Sequence, residues 1–240
     1  MSRIYDAMKR GVALEAAQRS LVTAGKRGAP LVDRAAESYQ RVLHAIQSRR
    51  ETAAGASILF VSANHGEGTS TVVRGVAALL AREGQQRIVL VDANLRTPSQ
   101  HEAFGVERSD GLTEVITRGL ELGRAVRNGV GNQPPVMTAG RPTTHPTGIL
   151  GAPGLKTMVE QLRARYDWVL LDGPPATVYS DAGIVAPLVD AVVLVIQAER
   201  TRWQVAEMAK DVLENSGGLV IGAVLSRRRF HIPDAVYQLL

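Results

Sequence analysis

The sequence contains no cysteine, which excludes disulfide bridges and metal sites built on thiolates. Aromatic residues account for only 4% of its 240 residues, yet hydrophobic residues make up 45%. The core therefore has to be built from Val, Leu, Ile and Ala, a composition typical of buried parallel strands. No apolar run approaches the ~20 residues that a membrane span requires, and residues 1–10 do not resemble a signal peptide. We therefore expect a cytoplasmic protein.

The charge balance is modestly basic, with 28 Lys and Arg against 23 Asp and Glu, a net charge of +5. A basic surface attracts nucleic acid, anionic lipid or an acidic partner, but an excess of this size also serves solubility alone. The one dense cluster is Arg227-Arg228-Arg229, followed by a tail with several apolar residues. This segment suits docking to a membrane-proximal helix or lipid headgroups, or packing against the edge of a sheet.

The chain divides into two regions with different sequence patterns. Residues 1–54 predict a helical arm, with short helices at Ser2–Arg10 and Leu14–Leu21 and an amphipathic one at Val32–Glu51. Over residues 55–240, apolar strands alternate with helices. Strands are predicted at Ser57–Ser62, Arg87–Asp92, Val136–Thr138, Trp168–Asp172, Ala191–Gln197 and Leu219–Leu225, and helices at Ser70–Arg82, Gly111–Arg118, Pro153–Arg165 and Thr201–Asn215. This order predicts an α/β fold, with a mostly parallel sheet flanked by helices on both faces.

A glycine-rich loop, HGEGTST at residues 65–71, joins the first predicted strand to its helix. The backbone N–H groups of such a loop and the N-terminus of the following helix bind phosphate. Ser70 is placed to hold Mg²⁺, but a P-loop carries Lys at the position of Thr69. Taken alone, the loop fits a strand-to-helix turn without a ligand equally well. The candidate nucleotide-binding residues are Gly66, Glu67, Gly68, Thr69, Ser70 and Thr71.

Asp92 and Asp172 each close an apolar strand, at the end of the sheet where ligands of open α/β folds bind. A buried Asp is costly unless it meets a metal, a water or a hydrogen-bond donor. Asp172, in the segment LLDGPP, has the form of a carboxylate that supports Mg²⁺ near a γ-phosphate. Asp92 is a candidate metal ligand, although a helix cap or a turn residue has the same signature. Together with the loop, these strand ends predict a P-loop fold that binds ATP or ADP with Mg²⁺.

Residues 57–226 resemble the cytoplasmic bacterial tyrosine kinases of capsule and exopolysaccharide synthesis (CpsD/CapB type), relatives of partition- and Min-type ATPases. The resemblance rests on VSANHGEGTST at the Walker A position, LVDANLRTP at an Asp-x-Asp-x-Arg box and LDGPP at Walker B. Five further segments match the family: GLTEV, TAG, HPT, the pair Asp181-Ala182 and MSRIYDAMKR. The resemblance implies autophosphorylation with Mg-ATP and binding to an inner-membrane polysaccharide co-polymerase, the chain-length determinant. It also implies a location at the inner membrane through that partner.

The departures from the family pattern concern the reactive centre first. Thr69 replaces the P-loop Lys, and Asn94 replaces the second Asp of the Asp-x-Asp box, leaving Asp92 as the candidate base. Ser226 stands where relatives have an Asn that contacts adenine, so Ser226 is a candidate nucleotide contact. Losing one preorganised electrostatic contact typically costs roughly 3–4 kcal/mol, or about 10²–10³ in rate. Arg96 is a candidate substitute cation, and the backbone N–H groups preserve weak binding.

The remaining departures concern assembly and phosphorylation. The family's Glu-x-x-Arg-x-x-Arg arm motif, which drives ring assembly, reads Glu37, Gln40 and Leu43 here. Self-association and a heteromer with an active paralogue both stay open. Residues 227–240 do not match the family's tyrosine-rich tail, and Tyr237 is the candidate phosphorylation site among them.

We therefore expect a kinase-like regulator or scaffold of polysaccharide polymerisation and export, with weak or absent catalysis. A first alternative is an active kinase or ATPase with a rearranged site, which phosphorylation of Tyr237, Tyr5 or Tyr39 would reveal. A second alternative is a partition- or Min-type positioning ATPase that binds DNA non-specifically through its basic surface. Because GLTEV and AGRPTTHPTG resemble the polysaccharide branch, no specific nucleic acid is expected.

Overall fold

A computed structural model describes residues 13–14, 55–84, 86–129 and 133–227. Apart from residues 13–14, the predicted arm over residues 1–54 lies outside this range, as do Tyr237 and the rest of the tail beyond residue 227. Ala13–Leu14 is a short strand, so the helix predicted for Leu14–Leu21 is wrong at its first residue. The reason is tertiary: the backbone of Leu14 pairs with Ser226 at the edge of the sheet, and this pairing overrides local helical preference.

The described residues form helices and strands in alternation. The strands are β1 Ala13–Leu14, β2 Ala56–Ser62, β3 Ile88–Asp92, β4 Val126–Arg127, β5 Val136–Met137, β6 Trp168–Asp172, β7 Ala191–Gln197 and β8 Val220–Ser226. The helices are α1 Thr69–Glu83, α2 Gln100–Phe104, α3 Leu112–Arg118, α4 Leu122–Ala125, α5 Pro146–Leu150, α6 Pro153–Arg165, α7 Asp181–Val185 and α8 Trp203–Asn215, with a 3₁₀ turn at Ala186–Leu188.

The strands join in one sheet in the order β1-β8-β7-β2-β6-β3-β5-β4. Every pair is parallel except β4 with β5, so the prediction of a mostly parallel sheet is confirmed. Strands β2, β3 and β6 are buried along their whole length. Continuous apolar runs such as WVLL and ILFV are what a strand covered on both faces requires.

Each face of the sheet carries its own apolar cluster. On one face α1 contributes Val72, Val73, Val76, Ala77 and Leu80, at the spacing of one helical stripe. On the other face α6 and α8 pack against the sheet, with Leu155, Met158, Leu162, Ala206, Ala209 and Leu213. The two layers of helices cover the central strands on both faces and leave the loops at their carboxyl ends accessible.

The predicted boundaries of the long elements agree with the structure to within about two residues. The short helices α2, α4, α5 and α7 were not predicted, because four or five residues are too few to show an amphipathic period. Each of these short helices contains at least two buried residues, so they form as part of the packed fold. Within the described part of the chain, no helix is both long and apolar enough to cross a membrane.

Candidate functional site

The loop of residues 65–71, called the glycine loop below, leaves the carboxyl end of β2 and enters α1. Gly66 and Gly68 have φ angles of 77° and 91°, in the left-handed region that side chains disfavour. A Cβ on Gly68 would also lie 3.7 Å from the Ser226 hydroxyl oxygen, so the end of β8 packs directly on the loop. The two glycines therefore satisfy a backbone requirement of this turn, which ends at the N-terminus of a fifteen-residue helix.

The side chain of Glu67 braces the glycine loop from within. Its Oε2 accepts hydrogen bonds from the backbone N–H groups of Ala63 at 2.9 Å and Asn64 at 3.0 Å. Its Oε1 accepts the hydroxyl of Thr201, and its carbonyl oxygen accepts that of Ser226. Glu67 was predicted to bind nucleotide, and its carboxylate instead bonds to these groups of the protein. The backbone N–H of Glu67 is the group that could still bind a nucleotide phosphate, and this stays a prediction.

The residues that open α1 point into the same region. Thr69 is buried, and its hydroxyl oxygen has no hydrogen-bond partner among the described residues. The Ser70 hydroxyl lies close enough to Asp172 to lower the pKa of that carboxyl. Arg74 donates to the Thr71 hydroxyl at 3.4 Å. Thr71 therefore contacts a neighbouring side chain of its own helix.

The two predicted carboxylates lie side by side, since Asp92 and Asp172 are register partners on β3 and β6. Asp92 is buried and accepts three backbone N–H bonds, from Asn94 at 3.2 Å and from Ser99 and Gln100 at 3.0 Å each. Burial raises the pKa of Asp92 to about 8, and the neighbouring charge of Asp172 adds to the effect. The carboxylate thus organises the turn that leads into α2, in addition to any role towards a ligand.

Asp172 has a different environment. One carboxylate oxygen accepts the side-chain amide of Gln100 at 2.6 Å, while the other, Oδ1, is buried without a hydrogen-bond partner among the described residues. Burial raises the pKa of Asp172 to about 6, against the lowering effects of Ser70, Gln100 and Arg74. Gln100 therefore bonds to both aspartates, a role that the sequence did not signal because Gln100 belongs to no recognisable motif.

An unpartnered carboxylate oxygen beside a hydroxyl fits a bound Mg²⁺, held directly or through a water. The described residues contain no group of three or more His, Cys, Asp or Glu that could hold a metal ion. Mg²⁺ commonly binds through one or two protein groups together with substrate phosphates, and Asp172 with Ser70 suits that mode. Asp92 as a metal ligand stays a prediction, because its oxygens already accept three N–H bonds.

The loop after β3 is closed by its own side chains. Asn94 donates to the Thr97 hydroxyl at 3.0 Å and accepts the Thr97 N–H at 3.1 Å. Arg96 forms a bidentate ion pair with the buried Asp181, at 2.6 and 3.2 Å. The Arg96 guanidinium also lies 4.0 Å from the centre of the Tyr179 ring. The candidate substitute cation is thus paired with a carboxylate, and it would have to leave Asp181 to reach a phosphate.

The glycine loop opens onto a cavity of about 220 Å³. Its wall also includes Asn94, Thr97, Ser99, Gly173, Pro175 and Arg227. The hydroxyl of the buried Ser226 bonds to the glycine loop rather than lining this cavity, so its predicted nucleotide contact stays a prediction. Arg227, the next residue, was considered only as the start of a basic tail. Arg227 directly follows β8, and its place beside the glycine loop gives no signal in the sequence.

No family model matches the sequence. Among curated proteins, the tyrosine-protein kinase YwqD of Bacillus subtilis is 32% identical over 173 residues, which cover 72% of this chain and 73% of YwqD. The putative tyrosine-protein kinase CapB of Staphylococcus aureus is 29% identical over 171 residues, covering 71% and 75% of the two chains.

Solved structures support the same fold. The chimerical protein CapA2B2 superimposes with a TM-score of 0.80 at 21% identity, covering 95% of this chain and all of that one. The kinase domain of the Escherichia coli tyrosine kinase ETK gives 0.76 at 23% identity, covering 97% and 91%. The septum site-determining protein MinD of Pyrococcus horikoshii, complexed with Mg-ADP, gives 0.62 at 21% identity, covering 78% and 77%.

These neighbours confirm the prediction of a P-loop NTPase fold. The similarity to YwqD extends over about three quarters of both proteins. The chain therefore belongs to the family of bacterial tyrosine-protein kinases that includes YwqD and CapB.

Proposed function

We propose that this protein is a kinase-like regulator or scaffold of capsule or exopolysaccharide polymerisation and export, with weak or no tyrosine autokinase activity. The observation that carries the proposal is Thr69, which stands where a P-loop has Lys. Thr69 is buried, and its hydroxyl meets no hydrogen-bond partner in the described part of the chain. The surrounding loop is intact, since Gly66, Gly68 and the Glu67 brace hold its turn. The site thus keeps the groups that bind phosphate and lacks the side chain that stabilises the transferred phosphoryl group.

Binding and catalysis respond differently to this replacement. Backbone N–H groups and the N-terminus of α1 supply ground-state affinity for phosphates, and they do not depend on the side chain of Thr69. The charge that develops during phosphoryl transfer does depend on a nearby cation, and its loss reduces the rate by about 10²–10³. When bound, Mg²⁺ would neutralise phosphate charge, with Asp172 and Ser70 as its protein ligands. We therefore expect weak binding of Mg-ADP and Mg-ATP with little turnover.

The partner in this proposal is an inner-membrane polysaccharide co-polymerase, as in the family that the sequence resembles. The protein would act in the cytoplasm and reach the membrane through this partner. The basic run Arg227-Arg228-Arg229 is suited to a membrane-proximal contact, because anionic headgroups attract clustered guanidinium groups. Nucleotide occupancy would regulate the complex through the conformation of the site rather than through chemistry.

The test is calorimetry with Mg-ADP and Mg-ATP on the full chain, together with a tyrosine autophosphorylation assay. Thr69→Lys should tighten nucleotide binding at least tenfold. Thr117→Lys, which adds the same charge at an exposed position of α3, is the control and should leave affinity unchanged. Autophosphorylation by the native chain at a rate equal to that of the Thr69→Lys variant would overturn the proposal.

An active kinase or ATPase with a rearranged site is the second candidate, favoured by the unpartnered Oδ1 of Asp172 beside Ser70. Phosphate on Tyr237, Tyr5 or Tyr39 after addition of Mg-ATP would select it. A positioning ATPase is distinguished by DNA binding that falls steeply between two salt concentrations.

A further inference from the structure

We infer that Arg227 is a phosphate-binding residue of the nucleotide site. From the end of β8, it supplies the positive charge that Thr69 does not carry. The inference rests on the proposed binding of nucleotide. It adds that the ligand is a nucleoside diphosphate or triphosphate, since the outer phosphates are the groups that Arg227 would bind.

The end of β8 is fixed against the glycine loop. The carbonyl oxygen of Ser226 accepts the N–H of Ala198 at 2.9 Å, and its hydroxyl donates to the carbonyl oxygen of Glu67. The nearest atoms to a Cβ built on Gly68 belong to Ser226, at 3.7 and 3.8 Å. Arg227 therefore directly follows a residue that is hydrogen-bonded to the glycine loop. It lines the same cavity as Gly66 and Gly68.

The charges around the cavity single out this residue. Among the described residues that line the cavity, Arg227 is the one Lys or Arg. Arg96 lies nearby but is engaged with Asp181 and with the hydroxyl of Thr147 at 2.9 Å. Arg74 contacts Thr71 and the side-chain oxygen of Gln100 at 3.3 Å. A polyphosphate in this cavity would therefore meet the guanidinium of Arg227 without breaking an ion pair described here.

The backbone conformation of Arg227 also supports a ligand-binding role. Its φ angle is 53°, in the left-handed region that residues with a side chain seldom adopt. Strained conformations of this kind are concentrated at ligand-binding positions. Glycine would adopt the same angle without strain, so a variant can remove the side chain and keep the turn.

The chemistry of the side chain suits polyphosphate. A guanidinium stays charged throughout the physiological pH range and presents paired N–H donors that match two phosphate oxygens. An ammonium group in its place is a point charge without this fork. The contribution of Arg227 should therefore increase with the number of phosphates and diminish only partly when Lys replaces it.

The experiment is calorimetry on the full chain with Mg-ATP, Mg-ADP and AMP, at low and at physiological salt. Arg227→Gly should weaken Mg-ATP binding at least tenfold, with a smaller effect on AMP, while Arg227→Lys keeps part of the affinity. Arg118→Gln removes the same charge from the exposed end of α3 and should bind as the native chain does. Thermal unfolding should give Arg227→Gly a melting temperature at or above the native value, because the glycine relieves strain.

Other results would overturn the inference in distinguishable ways. Native affinity in Arg227→Gly would show that Arg227 does not contact the ligand, and the proposed function would stand. Equal losses for AMP and Mg-ATP would assign Arg227 to the α-phosphate, ribose or base, and not to the outer phosphates that a P-loop lysine reaches. Binding by Thr69→Lys alone, with none by the native chain, would show that Arg227 does not replace the lysine. If neither chain bound nucleotide, the inference and nucleotide binding itself would both fall.

Discussion

Asp92 and Asp172 occupy matching positions on the adjacent parallel strands β3 and β6, and Gln100 bonds to both of them. The backbone N–H of Gln100 donates to Asp92 at 3.0 Å, and its side-chain amide donates to Asp172 at 2.6 Å. Two buried carboxylates on adjacent strands repel each other when both are charged, and the charge of Asp172 accordingly raises the pKa of Asp92. The pair therefore couples protonation to folding stability.

This coupling predicts a pH dependence of stability. Because burial raises the pKa of Asp92 to about 8 and that of Asp172 to about 6, the folded chain holds more protons than the unfolded chain above about pH 4. The free energy of unfolding should therefore fall as pH rises from about 4 to 8 in metal-free buffer. Urea unfolding at several pH values measures this slope. Asp172→Asn should flatten it, whereas Asp211→Asn, at an exposed position of α8, should not. A slope of the opposite sign in both the native chain and Asp211→Asn would contradict the prediction.

Replacing Gln100 should destabilise the pair directly. Gln100→Ala removes the side-chain donor of Asp172, and an unpaired buried polar group costs about 1–3 kcal/mol, or more for a charged one. Gln100→Glu should cost more above pH 6, since it adds a third carboxylate to the cluster. Chemical denaturation with and without Mg-ADP checks both variants. An unchanged unfolding free energy for Gln100→Glu would show that this contact contributes nothing.

The Glu67 brace predicts a loss of both stability and binding. Glu67→Ala leaves the N–H groups of Ala63 and Asn64 without their acceptor, and hydrogen bonds to a charged group contribute about 1.5–3 kcal/mol each. Glu67→Gln keeps one acceptor oxygen and should lose less. Faster hydrogen exchange at Ala63 and Asn64, measured by NMR, is the specific signature. If exchange there stays as slow as in the native chain, the loop is held by other contacts.

The ion pair between Arg96 and Asp181 predicts unequal effects from its two partners. The Asp181 side chain is only 1% exposed, so Arg96→Met should leave a buried unpaired carboxylate and cost about 3–5 kcal/mol. Asp181→Asn should cost less, because its amide still bonds to Thr147.

The Asp181→Asn variant also tests Arg96 as a substitute cation. If Arg96 reaches the phosphates once it is released, Asp181→Asn should bind Mg-ATP more tightly than the native chain does. Unchanged affinity in calorimetry, with the fold verified by circular dichroism, would leave Arg96 with a structural role alone.

Local patterns in the sequence were enough to predict the architecture. The apolar runs at Ser57–Ser62, Trp168–Asp172 and Ala191–Gln197 have the length and continuity of buried parallel strands, and the structure contains all three. The helix over Pro153–Arg165 was predicted to the residue. Family membership also followed from the sequence, because the motifs around Gly66, Asp92 and Asp172 lie within short contiguous segments. Periodicity and turn chemistry act over a few residues, so one sequence suffices to reveal them.

Contacts between distant residues were decided only by the tertiary structure. Gln100 meets Asp172 across 72 positions of the chain, and Thr201 meets Glu67 across 134. Gln100 belongs to no motif, and Arg227 stood out in the sequence only as part of a basic cluster. Each reaches the site because the register of the sheet brings separate strand ends together. The fold, the family and the presence of Thr69 in the glycine loop could all be read from the sequence. Only the packing of the strands decided which side chains surround that loop, since side-chain proximity depends on register and crossover rather than on order along the chain.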